Sequence, residues 1–267
     1  MATITPPIAL SVAGSDPSGG AGIQADLKTF EACGVYGMAV IAALTAQNTL
    51  GVHGVEVVSA SFVREQLDAV LADVGADAVK TGMLASAPVM DAVAQAFEEH
   101  GVRTLVVDPV AASKHGDPLL EPEAVEALRT LIVPRALVAT PNAGEVGLLT
   151  GVTPHNRDDL EGAAEAMLDL GPRWVLLKGG HLDDELAVDL LTDGRESHWL
   201  EAPRLDTRDT HGTGCTLAAA IAAGLAAGLD VVPAVRAAKD YLNGALRTGV
   251  RIGRGIGPVD HQWRTRA

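Results

Sequence analysis

The amino-acid sequence predicts a three-layer α/β/α protein with a mostly parallel central sheet. Two observations carry this. Short apolar runs at residues 8–13, 38–44, 78–84, 104–107, 136–139 and 174–177 alternate along the whole chain with longer stretches of helical spacing. Strands separated by helices pair in parallel and need cover on both faces. The 267 residues include 29 glycines and 48% hydrophobic residues, which suits a globular chain with many tight turns. No repeat, low-complexity tract or linker interrupts the alternation, so residues 1–267 are expected to form one domain.

Composition narrows the function. A net charge of −14 repels nucleic-acid backbones and anionic lipid, and 3% aromatic residues leave little for base stacking. Neither nucleic acid nor membrane is an expected partner, and no stretch is long and apolar enough to span a bilayer. Residues 1–7 show no basic segment followed by an apolar run, and Cys33 and Cys215 form no disulfide framework. A cytoplasmic protein is the expectation.

Residues 8–13 read as a buried strand that ends in Gly14, and a loop from Gly14 to Gly22 enters a helix. That loop has neither the Lys of a Walker loop nor the spacing of a dinucleotide fingerprint. The helix puts Ile23, Leu27 and Phe30 on one face, with Asp26 at the border of the apolar stripe, as a cap, a solvated acid or a ligand-facing one. Residues 38–44 form a second strand, and residues 45–49 leave its end, where open α/β sheets bind ligands. Gln47 is there, with an amide that both donates and accepts.

An amphipathic helix over residues 62–74 leads to the strand and exit turn at residues 78–84, where Lys80 reads as a structural lysine. A helix over 88–100 stops at Gly101, a position suited to a left-handed cap. The strand at 104–107 ends in Asp108-Pro109-Val110, and Lys114 to Asp117 follow in a polar loop. A helix over 122–132 precedes the strand at 136–139. Asn142 and Glu145 then share a face at a helix start, arranged for a metal or for simple capping. After a helix over 160–170, the strand at 174–177 ends in Lys178. Residues 187–191 and 198–200 read as a hairpin turned at Asp193-Gly194, and residues 232–248 as a long helix.

The most telling stretch is Asp209-Thr210-His211-Gly212-Thr213-Gly214-Cys215, followed at once by an Ala-rich helical run. First-turn amides lack intrahelical partners and the helix dipole favours negative charge, so this entry is suited to an anion. Cys215 falls in that turn, where the dipole is expected to lower its pKa.

This string resembles the signature D-T-x-G-[AT]-G-[DC] of the ribokinase-like superfamily of small-molecule kinases. The form ending in Cys is similar to its hydroxymethylpyrimidine and phosphomethylpyrimidine kinases. Gly14 through Asp26 resembles that branch's G-[ST]-D-x-S-G-G-A-G-I-Q-A-D. Residues 46–49, 82–84, 106–110, 142–145, 178–181 and 253–259 are similar to its A-Q-N-T, G-M-L, V-x-D-P-V, N-x-x-E, K-G-G-H and G-x-G-I-G-P-V. The resemblance implies a ribokinase-like fold and an ATP- and Mg²⁺-dependent kinase. Its acceptor would be 4-amino-5-hydroxymethyl-2-methylpyrimidine and then its monophosphate, on the way to thiamine.

On that resemblance Gln47 reads the pyrimidine, with Gly14, Asp26, Met83 and Val110 around it. Lys178, Asn142 and Lys114 face ATP, and Asp108 and Glu145 the metal. The amides of Gly212, Thr213, Gly214 and Cys215 hold the transferring phosphoryl group. Cys215 stands where most sugar kinases of the superfamily carry an Asp base, either as base or as one wall of the anion hole. The family also implies a homodimer. A pyridoxal kinase and a non-catalytic binder on the same fold are the alternatives.

Overall fold

A computed structural model of the chain describes residues 5–111, 120–180 and 186–266. Strand β1 (Ile8–Gly14) is fully buried beyond its first residue and has neighbours on both sides. Helix α1 (Gly22–Ala32) returns the chain to β2 (Tyr36–Asn48), which pairs parallel to one side of β1. After β3 (Gly51–Val57) and α2 (Ala60–Asp73), β4 (Ala78–Thr81) pairs parallel on the other side. The order of strands therefore reverses at β1, and such a switch point opens a crevice at the carboxyl ends of the strands.

The sheet continues through α3 (Ala87–Glu99), β5 (Leu105–Val107), α4 (Pro122–Ala127), β6 (Val138–Ala139), α5 (Ala143–Thr150), α6 (Leu160–Leu168) and β7 (Trp174–Lys178), every strand parallel to the last. Strands β8 (Leu186–Thr192) and β9 (Ser197–Pro203) add an antiparallel hairpin, completing the order β3-β2-β1-β4-β5-β6-β7-β8-β9. The chain then forms α7 (Thr213–Ala226) and α8 (Val231–Arg247).

Alternation along the strands makes two cores. Leu10, Val12, Val79 and Val107 pack on one face against residues of α2 to α6. Ala9, Ala78, Val106, Val138 and Leu176 pack on the other against α1, α7 and α8. Helix α7 is buried from Thr216 to Ala223, and its run of alanines lets it lie close on the sheet.

Two elements depart from the sequence reading. Strand β2 does not end at residue 44: it runs to Asn48 and turns back as β3, an edge strand whose Gly51, His53 and Gly54 hide its pattern. Gln47 thus sits within a paired strand, beside an irregular register step between Ala46 and Gln47. The helix expected over 122–132 is α-helical only to Ala127 and closes with a wide π turn over Leu128–Ile132. Pro134 has no N–H to continue the ladder, and the Val133 amide reaches back to Leu128. Gly101 takes the expected left-handed conformation.

The α7 layer gives the first test. Ile221 is completely buried, and Ile221→Ala should cost about 2–5 kcal/mol of unfolding free energy, measured by denaturant titration.

Candidate active site

A cavity of about 500 Å³ opens at the carboxyl ends of β1, β2, β4, β5 and β7, where the strand order reverses. Gly14, Gln47, Met83, Asp108, Val110, Asn142, Glu145, Lys178 and the loop Gly212–Cys215 all line it. Residues as far apart in sequence as Gly14 and Cys215 meet there because each follows a strand end or opens a helix. Lys114 lies outside the described residues.

One end of the cavity is built for negative charge. Gly212 caps α7 in the left-handed conformation at φ 81°, where a Cβ would fall on the carbonyl oxygen of Gly20. The two glycine-bearing loops are thereby pressed together, and Gly212, Thr213, Gly214 and Cys215 line the cavity, the Thr213 amide also donating to the Thr210 carbonyl at 3.3 Å. The left-handed angle falls on Gly212 and not on Gly214. Gly214 instead packs over a charged pair: a Cβ there would lie 3.4 Å from Lys178 Nζ and 3.5 Å from Asp108 Oδ2.

Lys178 Nζ donates to Asp108 Oδ1 at 2.9 Å and lies 3.8 Å from Glu145 Oε2. Thr140 Oγ1 donates to the same Asp108 oxygen at 3.1 Å. Burial works against the Lys178 charge, but Asp108 and Glu145 outweigh it and hold the ammonium protonated. Asn142 and Glu145 form a complete capping box. Glu145 N donates to Asn142 Oδ1 at 3.0 Å and Asn142 N to Glu145 Oε2 at 2.7 Å. The box aims the Glu145 carboxyl at Lys178, where burial pushes it up to about 7 against the pull of the ammonium.

Mg²⁺ in nucleotide sites takes one or two carboxylates and completes its shell with water and phosphate oxygens. Asp108 and Glu145, two acids flanking one lysine at the anion end, fit that requirement. Among the described residues no group of three or more His, Cys, Asp or Glu could hold a metal unaided.

The other end carries Gln47. Its Oε1 lies 3.2 Å from Thr45 Oγ1 and its Nε2 lies 3.3 Å from His211 Nε2. His211 Nε2 is 2.8 Å from Asp16 Oδ2. Asp16 also accepts from the Ser18 amide and hydroxyl and from the amides of Gly20 and Ala21. Burial would raise its pKa, but His211 and Ser18 outweigh that and hold it at about 2. The Gly14 amide donates to the Met83 carbonyl at 3.0 Å, closing the wall between β1 and β4. Asp16 and His211 are legible only as members of the two motif strings; nothing in their spacing marks them as partners across 195 positions.

The structure corrects two expectations. Asp26 does not reach the cavity: it is wholly buried, taking two bonds from Lys80 Nζ at 2.9 and 3.0 Å and one from Ser11 Oγ at 2.6 Å. A side chain bordering the apolar stripe of α1 can turn inward when the sheet offers it a cation. Lys80, itself without exposure, is the residue that lines the cavity floor, beneath Cys215. Its charge survives burial because Asp26 more than offsets the desolvation.

Nor is the Cys215 thiol acidified. Burial pushes it up to about 11, which the nearby Lys80 and a bond from the Gly22 amide reduce without reversing. At neutral pH it is a thiol.

The Asp16 cluster gives a pH prediction. A carboxyl held at about 2 in the folded chain, against 3.8 ordinarily, adds stability above pH 3.8 and loses it as pH falls towards 2. That stability is about 2 kcal/mol. The difference in unfolding free energy between the protein and Asp16→Asn should therefore shrink by about this amount between pH 4.5 and pH 2. Chemical denaturation of both across that range checks it.

Known proteins resemble this chain in sequence and fold. Residues 16–260 match the family model described as phosphomethylpyrimidine kinase. The chain is 57% identical over 260 residues to the hydroxymethylpyrimidine/phosphomethylpyrimidine kinase of Streptomyces coelicolor, covering 97% of this chain and 96% of that one. It is 52% identical to that of Rhizobium meliloti, over 95% of this chain and 96% of the relative. Among solved structures, the phosphomethylpyrimidine kinase of Clostridium difficile superposes with a TM-score of 0.79 at 44% identity, over 88% of this chain and 97% of that one. The pyridoxal kinase of Bacillus subtilis in complex with ADP superposes at 0.91 with 36% identity, over 98% and 100%. With the motifs in order, the crevice at the strand switch and these likenesses, the chain belongs to the phosphomethylpyrimidine kinase family and has its ribokinase-like fold.

Proposed function

We propose that this chain is an ATP-dependent kinase that phosphorylates 4-amino-5-hydroxymethyl-2-methylpyrimidine and then its monophosphate, yielding the pyrophosphate used in thiamine synthesis. The observation that carries the reading is one cavity with two chemically different ends. A polar amide stands at one, and a helix N-terminus with a lysine and two carboxylates at the other. Relatives support the substrate: besides the kinases above, the thiamine biosynthesis bifunctional protein ThiED of Geobacter sulfurreducens is 48% identical over 94% of this chain.

Phosphoryl transfer demands positioning and charge stabilisation more than covalent chemistry. Gln47 binds the aminopyrimidine edge, with Gly14, Met83 and Val110 walling the ring. The amides of Gly212, Thr213, Gly214 and Cys215 receive the phosphoryl oxygens, with Lys178 opposite. Asn142 and Lys114 complete the nucleotide side. Asp108 and Glu145 would hold Mg²⁺, which would neutralise charge on the phosphate oxygens. The single continuous sheet supports reading the chain as one kinase domain, and its unpaired cysteines suit the cytoplasm. Exposed Leu44, Val55 and Val57 around the β2–β3 hairpin suit burial against a second copy, as a homodimer.

A pyridoxal kinase is the second reading, favoured by the superposition on such enzymes, including that of Staphylococcus aureus with AMP-PCP and pyridoxal. An ATP-coupled assay separates the readings. Turnover of the hydroxymethylpyrimidine and its monophosphate, well above that of pyridoxal, is expected; the reverse preference overturns the assignment, and no turnover at all leaves a binder.

The raised thiol pKa favours reading Cys215 as one wall of the anion hole. A base that is four units from its pKa at pH 7 is almost wholly in the wrong form, and a loose transition state needs little help from one. Cys215→Ser should therefore keep kcat within about tenfold, with an unchanged pH–rate profile. A loss of about 10²-fold with a displaced alkaline limb would restore the base role.

A further inference from the structure

The side-chain amide of Gln47 touches groups that determine which way round it must sit. Asp16 is an ionised carboxylate that takes five donors, so it can only accept. The ring nitrogen 2.8 Å from its Oδ2 is therefore a donor, and His211 Nε2 carries a proton whether the ring is neutral or charged. That single proton is directed mainly at Asp16, so Nε2 offers the Gln47 atom 3.3 Å away no lone pair, and an oxygen there can share the N–H as the longer arm of a three-centre bond. With nitrogen there, two N–H groups would confront each other.

The far side of the amide leads to the same conclusion independently. Thr45 Oγ1 has one proton, and the Ser15 carbonyl 2.9 Å away receives it. Towards Gln47, at 3.2 Å, the hydroxyl offers only a lone pair. An amide oxygen cannot use it; an amide N–H can. A half-turn of the amide resolves both mismatches, and partners of this kind are what distinguish the two ends of a glutamine.

We infer that Gln47 is held with its carbonyl oxygen on His211 Nε2–H and its NH₂ on Thr45 Oγ1. The Asp16–His211 and Ser15–Thr45 pairs then set the order of donor and acceptor that Gln47 presents in the cavity. This rests on the reading of Gln47 as the group that meets the pyrimidine. A 4-aminopyrimidine edge presents a donor beside a ring-nitrogen acceptor, and a 4-oxopyrimidine edge presents an acceptor beside an N–H donor. The two patterns are reversed, and an amide free to rotate could meet either. Terminal amide torsions are broad and roughly two-fold, so glutamine by itself does not discriminate. His211 and Thr45 are thus positioning residues for specificity, acting through Gln47.

Two measurements test this. In the ligand-free protein, the Gln47 NH₂ protons should give nuclear Overhauser cross-peaks to the Thr45 methyl and none to the His211 ring; the opposite pattern overturns the orientation, whatever Gln47 binds. Kinetically, the ratio of kcat/KM for 4-amino-5-hydroxymethyl-2-methylpyrimidine over its 4-oxo counterpart should fall about tenfold or more in His211→Leu and in Thr45→Val. Thr45→Val keeps the shape of the side chain and serves if His211→Leu fails to fold. If both substrates lose equally and the ratio holds in each variant, the role is structural and the inference falls. Gln47→Leu is the control for the underlying reading: a wild-type ratio there removes Gln47 from substrate recognition, whereas a collapsed ratio there with intact ratios in the other two removes only the positioning role.

Discussion

The site depends on a buried ion pair. Lys80 on β4 and Asp26 on α1, both without solvent exposure, meet at 2.9 Å, with Ser11 of β1 as the third member. Together they tie the two strands that flank the switch point to the helix that follows the first. Exchange of such a pair for well-packed apolar groups is often neutral in stability, whereas removal of one partner costs about 3–5 kcal/mol. Its value here is geometric. Lys80 places a fixed positive charge under Cys215 and the first turn of α7, and Asp26 keeps that lysine protonated where burial alone would discharge it.

The same pair shows why the sequence reading was partial. Residues 8–13 and 174–177 announced themselves as buried strands because continuous apolar runs bounded by Gly or Lys have few other uses. The β8–β9 hairpin followed from Asp193-Gly194. Strand β3 was illegible because its glycines and histidine break the alternation, and only pairing with β2 makes it a strand. In the site, the anion loop and the Asn142–Glu145 capping box were legible from local spacing. The direction of the Asp26 side chain was not, because a helix-stripe border allows both faces and the deciding cation lies 54 residues away.

Cys215 illustrates a competition of magnitudes that spacing cannot resolve. A helix N-terminus favours a thiolate modestly and locally. Burial disfavours it more strongly, and the acids Asp26 and Asp108 add to the cost. The sequence reveals the first effect because it depends on position in a helix. It conceals the second, which depends on what the rest of the chain packs around that position.

Charge distribution completes the argument. A chain with a net charge of −14 is adapted to neither of the anions it is proposed to bind, ATP and a pyrimidine monophosphate. Exposed charges are screened beyond about 8 Å at physiological ionic strength, so recognition has to be local. Lys178, Lys80 and the first turn of α7 gather at one cavity, and each lysine is held charged by an acid: Lys80 by Asp26, buried behind it, and Lys178 by Asp108, which lines the cavity beside it. Pairing each cation with its own carboxylate leaves the site nearly neutral until an anion arrives.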